Sequence, residues 1–149
     1  MRLLKPFSML TLVITLLAAC KEDLPTIISR RNLPMSGANE IPAKTGSGNG
    51  SINIDYNQST RILTYTVTWN SLSGPVTGMH IHGSADKFTN APILQNFSGY
   101  PTTQSGTYTG TVLVDGVVIK EEDLFRGGFY INIHTALNPG GEIRGQIEF

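Results

Sequence analysis

In "GMHIHG", Gly78 to Gly83, His80 and His82 stand two residues apart, and the third histidine of the chain, His134, stands in "YINIHT". Imidazole nitrogens are donors for zinc and copper, so their spacing decides whether they work together. On an extended strand, residues i and i+2 point to the same side with Cα atoms about 6–7 Å apart, near enough for both rings to turn onto one ion. A third imidazole from a neighbouring strand would complete a three-histidine set. The competing reading is a polar sheet face whose histidines are solvated or hydrogen-bonded. Tyr130 and Asn132 alternate with apolar residues beside His134, where they serve that polar face or orient ligating rings from behind.

Other chemistry finds no support, and no catalytic residue is assigned. Ser36, Ser73 and Ser84 lie outside any G-x-S-x-G context, and the acidic residues form no glycosidase-like pair. "GSGNG", Gly46 to Gly50, runs into a strand pattern instead of a helix, so it reads as a turn and not as a phosphate cradle.

The elements that must position the histidines are strands. In "RILTYTVTW" the residues Leu63, Tyr65, Val67 and Trp69 share one side while Ile62, Thr64, Thr66 and Thr68 share the other. Similar runs occur at 50–56, 76–82, 91–97, 106–114, 128–134 and 142–149, separated by the turn clusters "NQST", "SLSGP", "GYPTTQSG" and "NPGG". Strands at this spacing predict an all-β Greek-key β-sandwich or flattened barrel of about seven or eight antiparallel strands. "IKEEDLFRG" (119–127) adds a turn or two of helix ended by glycine. The predicted core is Leu63, Tyr65, Val67, Trp69, Met79, Ile81, Phe129, Ile131, Ile133, Ile143 and Ile147. Alternation then turns His80, His82 and His134 outward, together with Tyr130, Asn132, Glu142, Arg144 and Gln146. Histidines on such a surface predict that His82→Ala changes metal-free stability by less than about 0.5 kcal/mol. Metal uptake is expected to weaken as pH falls through about 6.5, the ordinary imidazole range. Periodicity leaves open whether the strands bearing the histidines are neighbours.

The first 19 residues read separately. "MRLLKPFSMLTLVITLLAAC" has Arg2 and Lys5 at its front, an apolar run from Met9 to Leu17 and small residues before Cys20. That is a secretory signal pattern, and the run is shorter than the roughly 20 residues that span a bilayer. "LAAC" resembles the bacterial lipobox, which implies cleavage before Cys20 and lipidation of that cysteine. Cys20 is the chain's single cysteine, which excludes an internal disulfide. The expected organisation is a signal peptide over 1–19, a lipidated cysteine and tether over 20–34, and one domain over 35–149. The expected location is the bacterial cell envelope, lipid-anchored and extracytoplasmic, at the outer membrane or cell surface. Lys21, Glu22 and Asp23 resemble a surface-export signature of some Bacteroidetes lipoproteins. Beyond the leader, nine basic residues face eleven acidic ones and the basic ones are scattered, so nucleic acid is excluded as a partner. The expected partners are the membrane, through the anchor, and an envelope or extracellular ligand.

"MSGANEIP", "LTYTVTW", "GPVTGMHIHG" and "YINIHTALNPGGEIRGQI" resemble, in order, the CHRD domain, a family named for its occurrence in chordin. The resemblance spans about Met35 to Phe149 and implies an extracellular β domain with no defined enzymatic activity. "MHIHG", "NIHT" and "GGEIRG" also resemble Cu/Zn superoxide dismutase, in which an H-x-H strand and a later histidine bind copper and an arginine guides the anion. That likeness implies metal ligands at His80, His82 and His134 and an anion-guiding role for Arg144. The chain departs from it in having no fourth histidine to bridge two metals and no cysteine pair. Three readings follow: a non-enzymatic binding domain with a surface three-histidine site for copper or zinc, a copper-dependent metalloenzyme, and a structural or adhesive envelope module.

Overall fold

The computed structural model describes residues 26–149. Cys20 and the leader lie outside the described residues. The strands are β1 (Ile27–Ser36), β2 (Asn49–Asn57), β3 (Ile62–Asn70), β4 (Val76–His82), β5 (Ile93–Asn96), β6 (Gly106–Leu113), β7 (Phe129–Thr135) and β8 (Ile143–Ile147). One short helix, α1 (Glu121–Phe125), occupies the expected place, and Gly127 follows it with a positive φ of 74°. All eight strands form a single antiparallel sheet in the order β5-β4-β7-β8-β1-β2-β3-β6.

The sheet curls upon itself into a half-barrel, the flattened-barrel form of the expected all-β fold. Its two edge strands come together: Gln95 Nε2 on β5 donates to the Thr111 carbonyl on β6 at 3.3 Å. Just beyond β5, the Phe97 ring stacks on Tyr65 at 4.7 Å and on Tyr108 at 5.4 Å. Curling lets one apolar face close on itself, and every residue of the predicted core is buried there, joined by Met35, Ile52, Ile54, Tyr56 and Leu124. Two of the four inward positions of β6 are glycine, set where β3 opposite carries the bulk: Gly106 pairs with Trp69 and Gly110 with Tyr65. A Cβ at residue 106 would lie 2.6 Å from the indole, and one at residue 110 would lie 2.5 Å from the phenol oxygen.

β1 begins at Ile27 and runs alongside β2, with a register shift between Arg30 and Leu33 where Asn32 adopts φ 57°. Residues 27–34, read from sequence as tether, are therefore part of the sheet. Most of their side chains are exposed, so the strand rests on backbone pairing and carries little apolar periodicity.

Candidate metal centre

β4 and β7 are adjacent and antiparallel, in a register that sets Gly78 opposite His134, His80 opposite Asn132 and His82 opposite Tyr130. Met79 and Ile81 on β4, and Ile131 and Ile133 on β7, fill the core. By alternation the intervening residues share the far side of the sheet. All three histidines meet there. His80 Nδ1 lies 3.1 Å from His134 Nε2, and the three ligand nitrogens fall within 4.8 Å of one another. The absence of a side chain at Gly78 makes room, since a Cβ there would stand 3.2 Å from His80 Cε1 and 3.6 Å from His134 Cδ2.

Backbone carbonyls behind the rings fix their tautomers. His82 Nδ1 lies 2.8 Å from the Ala91 carbonyl and His134 Nδ1 lies 2.9 Å from the Pro139 carbonyl. A carbonyl can only accept, so both rings donate from Nδ1, and each neutral ring presents a lone pair at Nε2. Metal-binding histidines are held in this way by an outer partner. Burial and the neighbouring His134 and His82 hold His80 down to about 4, and burial also lowers His134 despite its bond to Pro139. Rings kept neutral are rings ready to coordinate. A single zinc or copper ion makes bonds of about 2.0–2.1 Å to such nitrogens, and these lie within 4.8 Å of one another.

These shifts alter the expected pH behaviour. A histidine whose folded pKa lies below its unfolded value binds fewer protons folded than unfolded, so stability is lost as pH falls from about 6.5 to about 4. For an ion held by these rings, proton competition would set in at more acid pH than the ordinary imidazole range.

The site faces outward from the core but is not a surface. His82 is 8% exposed and stacks flat on the Tyr130 ring, with centroids 4.7 Å apart and planes at 2°. The segment leading into β5 covers it, and the Ala91 N–H donates to Tyr130 Oη at 3.2 Å. Arg144 and Gln146, also expected outside, are buried on the same side, and Glu142, expected outside as well, is buried against Ser73 and Thr135. Glu142 accepts from the Ser73 N–H at 2.7 Å, Ser73 Oγ at 2.5 Å and Thr135 Oγ1 at 2.6 Å. Burial pushes its carboxyl up, but these bonds outweigh it and leave the pKa below the usual range. Its place is structural, tying the β7–β8 connection to the loop before β4.

Arg144 is 1% exposed, and its guanidinium carbon lies 3.4 Å from the centre of the Tyr130 ring, on a ring that also stacks with His82. Nη2 donates to the Lys87 and Thr89 carbonyls at 2.9 and 3.3 Å. Arg144 therefore braces the segment over β8 and lines a cleft of about 160 Å³ shared with Glu40, Ile41 and Phe88. It has no direct contact with the histidine nitrogens among the hydrogen bonds of the described residues, whereas Asn132 does: its Oδ1 is 3.0 Å from His82 Nε2 and 2.9 Å from His134 Nε2.

Sequence reasoning passed over Glu40 and the carbonyls of Ala91 and Pro139. A carbonyl belongs to every residue and leaves no signature. Glu40, in "GANEIP", is 5% exposed and its Oε1 has no hydrogen-bond partner. Burial raises its pKa from 4.5 to about 7, against the pull of Arg144, Lys44 and the Asn132 amide. A carboxyl raised in the fold binds more protons folded than unfolded, so its contribution to stability is present at low pH and is lost as pH rises from about 4.5 to about 7. Glu40→Gln cannot charge and escapes that loss. Relative to the parent it should gain up to about 3 kcal/mol between pH 5 and pH 8, read as the difference in urea midpoints at each pH. An unchanged difference across that range would show that Glu40 titrates normally.

The family model for the CHRD domain matches residues 32–147, which takes in every strand from the second half of β1 to β8. No curated protein and no solved structure matches the chain. The matched range covers the histidine pair, "YINIHT", Glu142 and Arg144, and the chain belongs to the CHRD domain family.

Proposed function

We propose that this chain is a lipid-anchored, extracytoplasmic CHRD module of the bacterial cell envelope that binds one copper or zinc ion between His80, His82 and His134. The observation that carries the reading is the joint geometry of the rings: three nitrogens within 4.8 Å, two of them aimed by carbonyls that accept from Nδ1. Solvated surface histidines have no need of such partners. The reading is of a binding module and not of a metalloenzyme, because Arg144, the residue an anion-guiding role requires, is stacked on Tyr130 and bound to carbonyls away from the rings.

Titration of the metal-free mature protein, followed by elemental analysis after desalting, should give one Cu²⁺ or one Zn²⁺ per chain, with Cu²⁺ the tighter. Failure to retain either ion near one equivalent would overturn the metal reading. The anchor is tested separately. Cys20→Ser should move the protein from the membrane fraction to the soluble fraction or leave it unprocessed, and a variant that is cleaved normally and stays with membranes would refute lipidation at Cys20.

A further inference from the structure

We propose that Asn132 Oδ1 is the fourth ligand of this centre, closing it as a three-nitrogen, one-oxygen set whose ion cross-links β4 and β7 and offers no position to a substrate. The inference rests on the metal reading above and sharpens it.

Oδ1 of Asn132 stands 2.9 Å from His134 Nε2 and 3.0 Å from His82 Nε2. Such distances ordinarily mean hydrogen bonds. Here the donors are missing, because each ring has its Nδ1–H committed to a carbonyl and a neutral imidazole carries one N–H. His80 Nδ1–H can donate to His134 Nε2 at 3.1 Å. His82 Nε2 then still faces Oδ1, acceptor against acceptor, with His82 8% and Asn132 3% exposed. Buried acceptors left in that state are costly.

Rotating the amide by half a turn would put Nδ2 against the rings and remove the conflict. The surroundings oppose it. On the other side of the amide lies the Glu40 carboxyl, which Asn132 Nδ2 faces and whose Oε1 has no hydrogen-bond partner among the described residues. Gly141, with φ 118°, leaves the room for that approach: a Cβ there would collide with Glu40 Oε1 and stand 2.9 Å from Asn132 Nδ2. Rotation would take Nδ2 away from the Glu40 carboxyl, whose Oε1 would then have no donor facing it. Glu40 is thus a positioning residue that keeps the amide oxygen towards the histidines.

A divalent cation among the four atoms satisfies every lone pair at once. The contacts of 2.9, 3.0 and 3.1 Å along the chain His134–Asn132–His82 and His80–His134 are close to the roughly 3.3 Å edge of a tetrahedron with bonds of 2.0–2.1 Å. Structural zinc sites are closed in this way, whereas catalytic ones keep a position open. A closed centre stabilises the fold in proportion to metal occupancy and activates nothing.

The test uses Cu²⁺-loaded mature protein and azide, a small anion that enters open copper positions. Wild-type protein should give an electron paramagnetic resonance spectrum that azide leaves unchanged. Asn132→Leu should still bind one Cu²⁺ through the histidines, with affinity lower by roughly 10–100-fold, and its spectrum should shift on adding azide. If azide perturbs the wild-type spectrum, or Asn132→Leu keeps both affinity and spectrum, Asn132 is not a ligand while the three-histidine reading stands. If the wild type takes up no stoichiometric Cu²⁺, that reading fails and the fourth ligand with it. The wild-type arm needs no variant, so a poorly folded Asn132→Leu leaves the proposal exposed to refutation.

Discussion

Alanine at residue 80 is expected to lower Cu²⁺ and Zn²⁺ affinity by on the order of 100- to 1,000-fold while leaving the metal-free domain folded. The magnitude follows from structural zinc sites, whose total binding free energy of about 10–16 kcal/mol, shared over four ligands, assigns roughly 2.5–4 kcal/mol to each. His80 is the ligand to test because it is the least entangled. Its side chain makes one hydrogen bond, to His134, and it is only half-buried. His82 is different: its Nδ1–H donates to the Ala91 carbonyl, its Nε2 lies against Asn132 Oδ1, and the ring is stacked on Tyr130 and nearly enclosed. The expectation that His82→Ala is neutral for the metal-free fold therefore gives way to a cost of roughly 1–3 kcal/mol, that of leaving the Ala91 carbonyl and the stack unpaired. Competition titration against a chelator of known affinity reads the His80→Ala effect, and thermal melts of the metal-free proteins separate the two variants. A His80→Ala protein that retains wild-type affinity would remove His80 from the site.

Trp69→Ala should cost about 3–5 kcal/mol, towards the upper end, and lower the melting temperature by roughly 10–20 °C. Trp69 is fully buried, and its Nε1–H donates to the Thr103 carbonyl at 2.9 Å. The cost of a large-to-small change depends on whether neighbours can fill the void. Here they cannot. Both strands flanking β3 present glycine to Trp69, Gly50 on β2 and Gly106 on β6, so no side chain stands ready to swing in. The abandoned Thr103 carbonyl adds its own desolvation term. Chemical denaturation measures the loss, and a cost below about 2 kcal/mol would mean that the sheet closes over the gap. β3 is two strands or more from β4 and β7 in the sheet, so a folded Trp69→Ala protein should still take up one equivalent of metal.

The side of the sheet on which each histidine stands was legible because the side-chain period of a strand is two residues, and a one-residue slip would have carried Met79 and Ile81 out of the core. The same alternation identified Trp69, Tyr65 and the isoleucines of β7 as interior. It failed over residues 27–34 of β1, where Ile28 and Leu33 alone are partly sheltered and backbone pairing with β2 does what apolar burial does elsewhere. It also equated pointing away from the core with meeting water. For Thr66 and Thr68, which pair with Thr109 and Thr107 on an exposed face, that equation holds. For Arg144 and His82 it does not, since the segments around Thr89 and Ala91 fold over them.

By itself the sequence determined the strands other than β1, their inner and outer faces, the family, and the kind of donor available at residues 80, 82 and 134, because each of these depends on local alternation or on residue type. The tertiary structure alone decided that β4 lies beside β7, that Ala91 and Pro139 select the ring tautomers, that Glu40 sits behind Asn132, and that the outer face is enclosed at His82 and Arg144. Strand pairing joins segments separated by two other strands and a helix, and backbone carbonyls act without any side-chain signature. Such contacts are chosen by how the whole sheet curls to bury one apolar face, a global balance that no window of the chain contains.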